Sequence, residues 1–219
     1  MSGSDTPIGK GLLVRAFGES GLLVELEQRI DPRIAARARA IADRWETTGH
    51  GPAIPAYASV LLRFDPLALD PSDAGRIATE IAAAVPDGAE LDTGRVVEIP
   101  TRYDGPDLEE VARMSGLRRD DLIAAHTGRE HLAYFVGFMP GFAYCGGVDP
   151  RIVAPRRASP RTRVPAGSVA VADGQTSVYP FTIAGGWRLI GSTDVVVFDG
   201  GREEPALIHA GDRVRFVAV

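Results

Sequence analysis

A single cysteine, Cys145, stands in 219 residues, so no disulfide can form within the chain, and this usage fits a reducing compartment. No run approaches the roughly 20 apolar residues that a bilayer-spanning helix requires. Residues 1–11 lack the basic-then-apolar pattern of a secretory signal, so the expected address is cytoplasmic, with no membrane partner. A phosphate-binding Gly-x-x-x-x-Gly-Lys-Ser/Thr loop is missing, because the Gly9-Lys10 pair lacks a glycine at the required position. Neither a dinucleotide fingerprint nor a serine nucleophile elbow occurs. Basic residues are outnumbered, 24 Lys plus Arg against 29 Asp plus Glu for a net charge of −5, which argues against nucleic acid as a general partner. Histidine is scarce at 4 residues. His126 and His131 do not share the i, i+4 spacing of a helix-borne metal pair, so no metal site is expected.

What is present organises as two units. An apolar fraction of 45% can supply a real core. Gly11–Phe17 and Gly21–Leu26 predict a hairpin, and Asp31-Pro32 opens a helix to about Trp45 with Ile34, Ala38, Ile41 and Trp45 on one face. A strand over Pro55–Phe64 and a second helix from Asp70-Pro71 to about Val85 complete a small α/β sandwich of ferredoxin-like type. The Pro, Gly and Asp cluster Pro86–Gly94 marks the boundary, giving units at residues 1–94 and 95–219.

The second unit opens with a strand at Val96–Tyr103 and two short helices, Asp107–Met114 and Arg118–His126. They superficially resemble a helix-turn-helix, but Asp107 to Asp121 holds five acids against three arginines, and nothing else points to DNA readout. Short strands follow at Ala133–Phe138, Gly167–Ala172, Thr176–Phe181, Trp187–Ile190, Val195–Phe198 and Arg213–Val217, the pattern of a closed or nearly closed barrel. The expected class is therefore α+β.

Several stretches carry possible chemistry. Gly137-Phe138-Met139-Pro140-Gly141-Phe142-Ala143-Tyr144 packs glycines, a proline and three aromatic rings into eight positions, suited to a pocket wall or a plugged barrel corner. Arg151 to Pro165 holds five arginines and no acid, so several of its guanidinium groups are candidates for a carboxylate, a phosphate or an acidic partner, with a solvated basic face as the plain alternative. Gln175, Thr176, Tyr179, Ser192 and Thr193 offer groups that orient an amide or carboxylate. His126, ending the second short helix, is the general-base candidate, although a structural role is the commoner fate of such a residue. Cys145 reads as a small buried hydrophobe.

The aromatic stretch resembles, together with Pro155-Arg156-Arg157, Pro160-Arg161-Thr162-Arg163-Val164-Pro165-Ala166-Gly167-Ser168-Val169, Gln175-Thr176-Ser177-Val178-Tyr179-Pro180 and Gly185-Gly186-Trp187-Arg188-Leu189-Ile190-Gly191, the 5-oxoprolinase B-subunit family. That family is also called allophanate hydrolase subunit 1 and includes the inhibitor of a sporulation sensor kinase. The resemblance implies a small α/β domain followed by a cyclophilin-like barrel, and partners resembling the C- and A-subunits of 5-oxoprolinase. It implies an assembled complex that uses ATP, with Mg2+, to open the lactam 5-oxoproline (pyroglutamate) to glutamate. Phosphorylation of the lactam carbonyl, then capture by water, would explain the coupling to ATP. On that resemblance Arg156, Arg161 and Arg163 contact an anion or a partner, Tyr179 and Thr193 hold substrate, Gln175 and His126 are the catalytic pair, Gln175 orienting substrate and His126 assisting proton transfer, and Phe138 and Phe142 close the pocket. Alanine at Gln175 or Arg161 is expected to lower activity without unfolding the chain. Cys145 stands where family members commonly have leucine, and Ser177 where they have glycine. Allophanate or another amide is the competing substrate, and regulation of a histidine kinase the competing role; the chain shows no amidase serine-lysine motif.

Overall fold

The computed structural model describes residues 6–7, 11–87 and 94–219. The Gly9-Lys10 pair and most of the expected boundary stretch lie outside them. The chain forms two compact units, Met1–Asp92 and Thr93–Val219.

In the first unit, β1 (Thr6–Pro7), β2 (Leu13–Ala16), β3 (Gly21–Glu25), β4 (Ala53–Pro55) and β5 (Ser59–Arg63) form an antiparallel sheet ordered β1-β2-β3-β5-β4. Helix α1 (Pro32–Thr47) follows β3, and α2 (Pro71–Ala84) follows β5. Both start at an Asp-Pro pair for the same reason. The Asp31 and Asp70 carboxylates each accept an otherwise unpaired backbone N–H, from Arg33 and Ser72 at 2.8 Å, while proline presets φ and lacks an N–H to lose. The apolar stripe of α1 puts Ala38, Ile41 and Trp45 fully inside, against Val24, Val60 and Leu62. The stretch expected as one strand over Pro55–Phe64 holds β5 and the turn before it, where Ala56 N–H bonds the Ser59 carbonyl at 2.8 Å and joins β5 to β4, which ends at Pro55.

The second unit is built on a seven-stranded sheet. Its strands are β6 (Val96–Thr101), β7 (His131–Val136), β8 (Ala143–Gly146), β10 (Ser168–Ala172), β11 (Gln175–Val178), β13 (Arg188–Ser192) and β14 (Arg213–Ala218), ordered β13-β10-β11-β8-β7-β14-β6. Only the β14–β6 pair is parallel. The two edge strands meet where Arg102 and Ser192 exchange backbone hydrogen bonds of 2.8 Å in each direction, so the sheet curls into a nearly closed barrel. A separate pair, β9 (Arg161–Val164) with β12 (Ile183–Gly185), is antiparallel. Helices α3 (Leu108–Ser115) and α4 (Arg119–Thr127) send Leu108, Val111, Ala112, Leu122 and Ala125 into the barrel core beside Ile99, Val169, Val171 and Phe216. Those faces serve core packing. Val195–Phe198 is not a strand: Leu207 N–H bonds the Val197 carbonyl and Asp199 N–H the Pro205 carbonyl, so this stretch folds back on its own loop.

Strand alternation in β10 and β11 decides the two faces of the barrel wall. Val169, Val171 and Val178 point into the main core. Ala170 and Ala172 point the other way, into a second cluster with Met139, Phe142, Val164, Tyr179, Trp187 and Leu189. Register pairs Ala172 with Gln175 and Ala170 with Ser177, so both polar residues share this outer face, whereas Thr176 faces inward opposite Val171.

Candidate functional site

The outer cluster opens into a cleft lined by Phe138, Phe142, Tyr144, Arg156, Tyr179, Gly185, Gly186 and Trp187. The turn between β7 and β8 supplies the first rings. Gly137 N–H bonds the Phe142 carbonyl at 3.0 Å, which closes the turn and drops Phe142 into the centre. There Phe142 stands edge-on to Tyr144, Tyr179 and Trp187 at 5.0, 5.2 and 5.4 Å between centroids, the geometry aromatic quadrupoles favour. Phe138, in the left-handed region at φ 67°, is 64% exposed and forms the rim. Gly185 is required sterically: a Cβ there would lie 2.4 Å from the Tyr179 hydroxyl.

Arg156 brings the charge. Its guanidinium lies over the Trp187 ring at 5.6 Å, within cation–π range, and its Nε donates to Asp173 at 3.0 Å. Burial raises the Tyr179 pKa foremost, against a lowering hydrogen bond from the Trp187 backbone. Burial likewise raises that of Tyr144, opposed by the Arg156 charge. Both phenols therefore stay protonated at neutral pH. The cleft volume is about 90 Å³, room for about three waters at roughly 30 Å³ each. Such a set of apolar ring faces and one positioned cation is chemically able to orient a small anion.

The structure therefore gathers Phe138, Phe142, Tyr179 and Arg156 and leaves the remaining expected residues elsewhere. Gln175 is buried on the same sheet face, and its Oε1 has no hydrogen-bond partner among the described residues. Arg163 lines a different cleft of about 300 Å³ with Asp104, Arg161, Ser168 and Ser192. Arg161 is committed to Asp107, which it grips with two hydrogen bonds of 2.8 Å. Asp107 also accepts from Arg157 at 3.3 Å and from the Leu189 backbone at 2.7 Å. Removing Arg161 takes away two of the four hydrogen bonds that hold the buried Asp107 carboxylate, so its alanine variant is expected to cost stability as well as any ligand contact. Thr193 is buried; its N–H bonds the Gly167 carbonyl and its hydroxyl accepts from Val195, a turn-closing role.

His126 is the main correction. It is fully buried on the inner side of the barrel wall, where Nδ1 meets the Tyr103 hydroxyl at 2.7 Å and Nε2 the Thr176 hydroxyl at 2.9 Å. Thr176 spends its own proton on the Ala170 carbonyl at 3.1 Å, so it accepts from His126 Nε2–H, and Nδ1 accepts from Tyr103. Burial above all, then the neighbouring His131, holds the His126 pKa well below its ordinary value. A neutral imidazole with both nitrogens occupied is a strut, not a base at a site. Cys145 is also core, its thiol pushed up to about 12 chiefly by burial, too high for a nucleophile. Among the described residues no group of three or more His, Cys, Asp or Glu could hold a metal ion, and no helix is long and apolar enough to cross a membrane.

Trp187, Tyr144, Asp173 and Asp107 have no role that local sequence assigns. The first two lie within the family-like motifs, Tyr144 among the three rings already read as a pocket wall and Trp187 just before β13. The acids carry none, since their arginine partners lie 17 and 54 residues along the chain.

An α/β unit followed by a nearly closed barrel with an aromatic cleft on its wall defines the class of protein, and the family follows from likeness to known proteins. Residues 12–208 match the family described as carboxyltransferase domain, subdomain C and D. The chain is 36% identical over 222 residues to the 5-oxoprolinase B-subunit of Bacillus subtilis, covering 94% of this chain and 92% of that one. It is 38% identical over 209 residues to the 5-oxoprolinase B-subunit of Escherichia coli O157:H7, covering 92% and 93%. A crystal structure of TTHA0988 superposes with a TM-score of 0.80 at 38% identity, covering 91% of this chain and 40% of that longer one. The chain belongs to the 5-oxoprolinase B-subunit family.

Proposed function

We propose that this chain is a subunit of an ATP-dependent hydrolase complex that opens 5-oxoproline to glutamate, and that the aromatic cleft under Arg156 seats the ring of the substrate, with its carboxylate at the cleft mouth. The reading rests on membership of the 5-oxoprolinase B-subunit family, and one observation carries its site: ring faces and a positioned guanidinium converge on one small cleft. A lactam carboxylate offers a flat, largely apolar ring and one negative charge, the complement of those walls. Phe138 and Phe142 form the rim and floor, Tyr179 donates a hydrogen bond, and Gln175 supports the wall from the same sheet face. Arg163 is assigned to an anion or partner contact in the separate cleft it lines. The described residues carry no phosphate-binding loop, and the cleft no proton-transfer group. ATP, with Mg2+, and the bond-breaking chemistry are therefore assigned to the assembled complex, with partners resembling the C- and A-subunits, in the cytoplasm. Architecturally, we assign residues 1–94 to a ferredoxin-like sandwich in which β2 takes the place beside β3, and residues 95–219 to a cyclophilin-like barrel.

The test is co-production with the native second and third subunits and measurement of ATP-dependent glutamate formation from 5-oxoproline, omitting each component in turn. Product lost whenever this chain is omitted supports the reading. Full turnover without it refutes the reading and moves kinase regulation or another amide substrate forward.

A further inference from the structure

Asp173 and Gly174 join β10 to β11 as the two residues of a tight hairpin, at φ 50° and 77°. Consecutive left-handed residues define the turn whose twist suits such a hairpin, and Asp-Gly is a favoured pair for it. Asp173 is one of two non-glycine residues among those described with positive φ; the other, Phe138, lies on the cleft rim. The Asp173 backbone N–H donates to the Ala154 carbonyl at 2.9 Å, tying the turn to the loop that carries Arg156. Its carboxylate accepts from Arg156 Nε at 3.0 Å. The guanidinium is thus held on one edge by Asp173 and on one face by Trp187, and no described residue takes a hydrogen bond from its two terminal nitrogens. Those nitrogens form the fork that matches a carboxylate.

We infer that Asp173 is a positioning residue that presents the Arg156 fork to the carboxylate of a small-ring ligand, so that the cleft selects ring monocarboxylates over the uncharged ring. This rests on the reading of the aromatic cleft as the substrate site. The Nε contact occupies the edge of the guanidinium that faces away from the fork, so substrate and Asp173 do not compete. The β10–β11 turn is then part of the recognition apparatus although it does not line the cleft.

Asp173→Gly is the informative variant, since glycine adopts the left-handed turn without strain and only the acceptor is lost. Asp173→Asn keeps the turn and an acceptor oxygen, and Arg156→Gln removes the fork. Binding is read on the full chain by Trp187 emission, with buried Trp45 as a constant background, using 5-oxoproline and 2-pyrrolidinone, the same lactam without the carboxylate. KM and kcat for 5-oxoproline are read in the assembled complex. Asp173→Gly is expected to raise Kd and KM for 5-oxoproline about fivefold, the scale of an exposed ion pair, with kcat within about twofold. Asp173→Asn recovers part of that loss, Arg156→Gln costs at least about tenfold, and 2-pyrrolidinone binding stays unchanged. Asp173→Gly leaving KM unchanged, or weakening both ligands alike, overturns the inference while the proposed function stands. Hydrolysis that proceeds without this chain overturns the proposed function instead.

Discussion

Replacing Asp107 by asparagine removes the charge at a junction where two arginines and one backbone amide converge. Asp107 is 2% exposed, and its side chain receives two hydrogen bonds from Arg161, one from Arg157 and one from Leu189 N–H. Burial by itself would raise its pKa. The hydrogen bonds from Arg161 and Leu189 and the charges of Arg161 and Arg157 outweigh it, so the pKa is lowered. Breaking a buried pair costs about 3–5 kcal/mol. Here the arginine side chains are 23% and 30% exposed, which lets water soften the loss toward about 3 kcal/mol, or roughly a 10 °C fall in melting temperature for a unit of this size. Equilibrium urea unfolding of the second unit, followed by Trp187 emission in a Trp45→Phe background, reads that change. The double variant Asp107→Asn with Arg161→Met should recover part of it, because the uncompensated cation is gone. Asp107 also contributes to acid sensitivity. Its folded pKa lies below the unfolded value near 3.8, so its contribution is present above that pH and fades as pH falls toward the folded pKa. A loss below about 1 kcal/mol for Asp107→Asn would refute the reasoning and class the contact with ordinary surface pairs.

Three further outcomes follow from the barrel. Desolvation is the leading cause that lowers the pKa of both His126 and His131 in the fold, so each binds fewer protons folded than unfolded. Stability is then full above about pH 6.5 and falls below it, by up to about 1.4 kcal/mol per pH unit per histidine; an unfolding free energy flat from pH 7 to 5 would contradict this. Gly185→Ala places a Cβ 2.4 Å from the Tyr179 hydroxyl and should destabilise by about 1–3 kcal/mol through forced displacement, with weaker ligand binding by titration; wild-type values for both would refute the packing account. Cys145 should resist a thiol reagent at pH 8 in the folded chain and react once per chain in denaturant, because its thiol is buried; rapid labelling of native protein would show the strand to be open.

Local rules made much of this molecule legible in advance. Asp31-Pro32 and Asp70-Pro71 announce helix starts because capping and a preset φ act within three residues. The Gly137–Tyr144 stretch announced a ring-lined corner, and its rings do converge with Tyr179. The expected strand at Pro55–Phe64 shows the limit of a local reading: it held β5 but ran through the Ala56–Ser59 turn and left out β4, most of which lies before Pro55.

The sequence by itself determined where the helices begin and end, where most of the longer strands run, and which rings and cations are available, because propensity, capping and periodicity are properties of neighbours in the chain. Only the tertiary structure decided their roles. Thr176 and Gln175 are adjacent in β11, yet one faces the core to receive His126 and the other shares the face of the aromatic cluster; that assignment follows from register against β10. Arg156 and Arg161 look alike in one arginine-rich loop, but Asp107 neutralises Arg161, whereas Asp173 holds Arg156 over Trp187 with no hydrogen bond from its fork to any described residue. Barrel closure at Arg102 and Ser192 joins strands from opposite ends of the unit. Charge compensation, facing and closure depend on partners distant in sequence, so no local pattern specifies them.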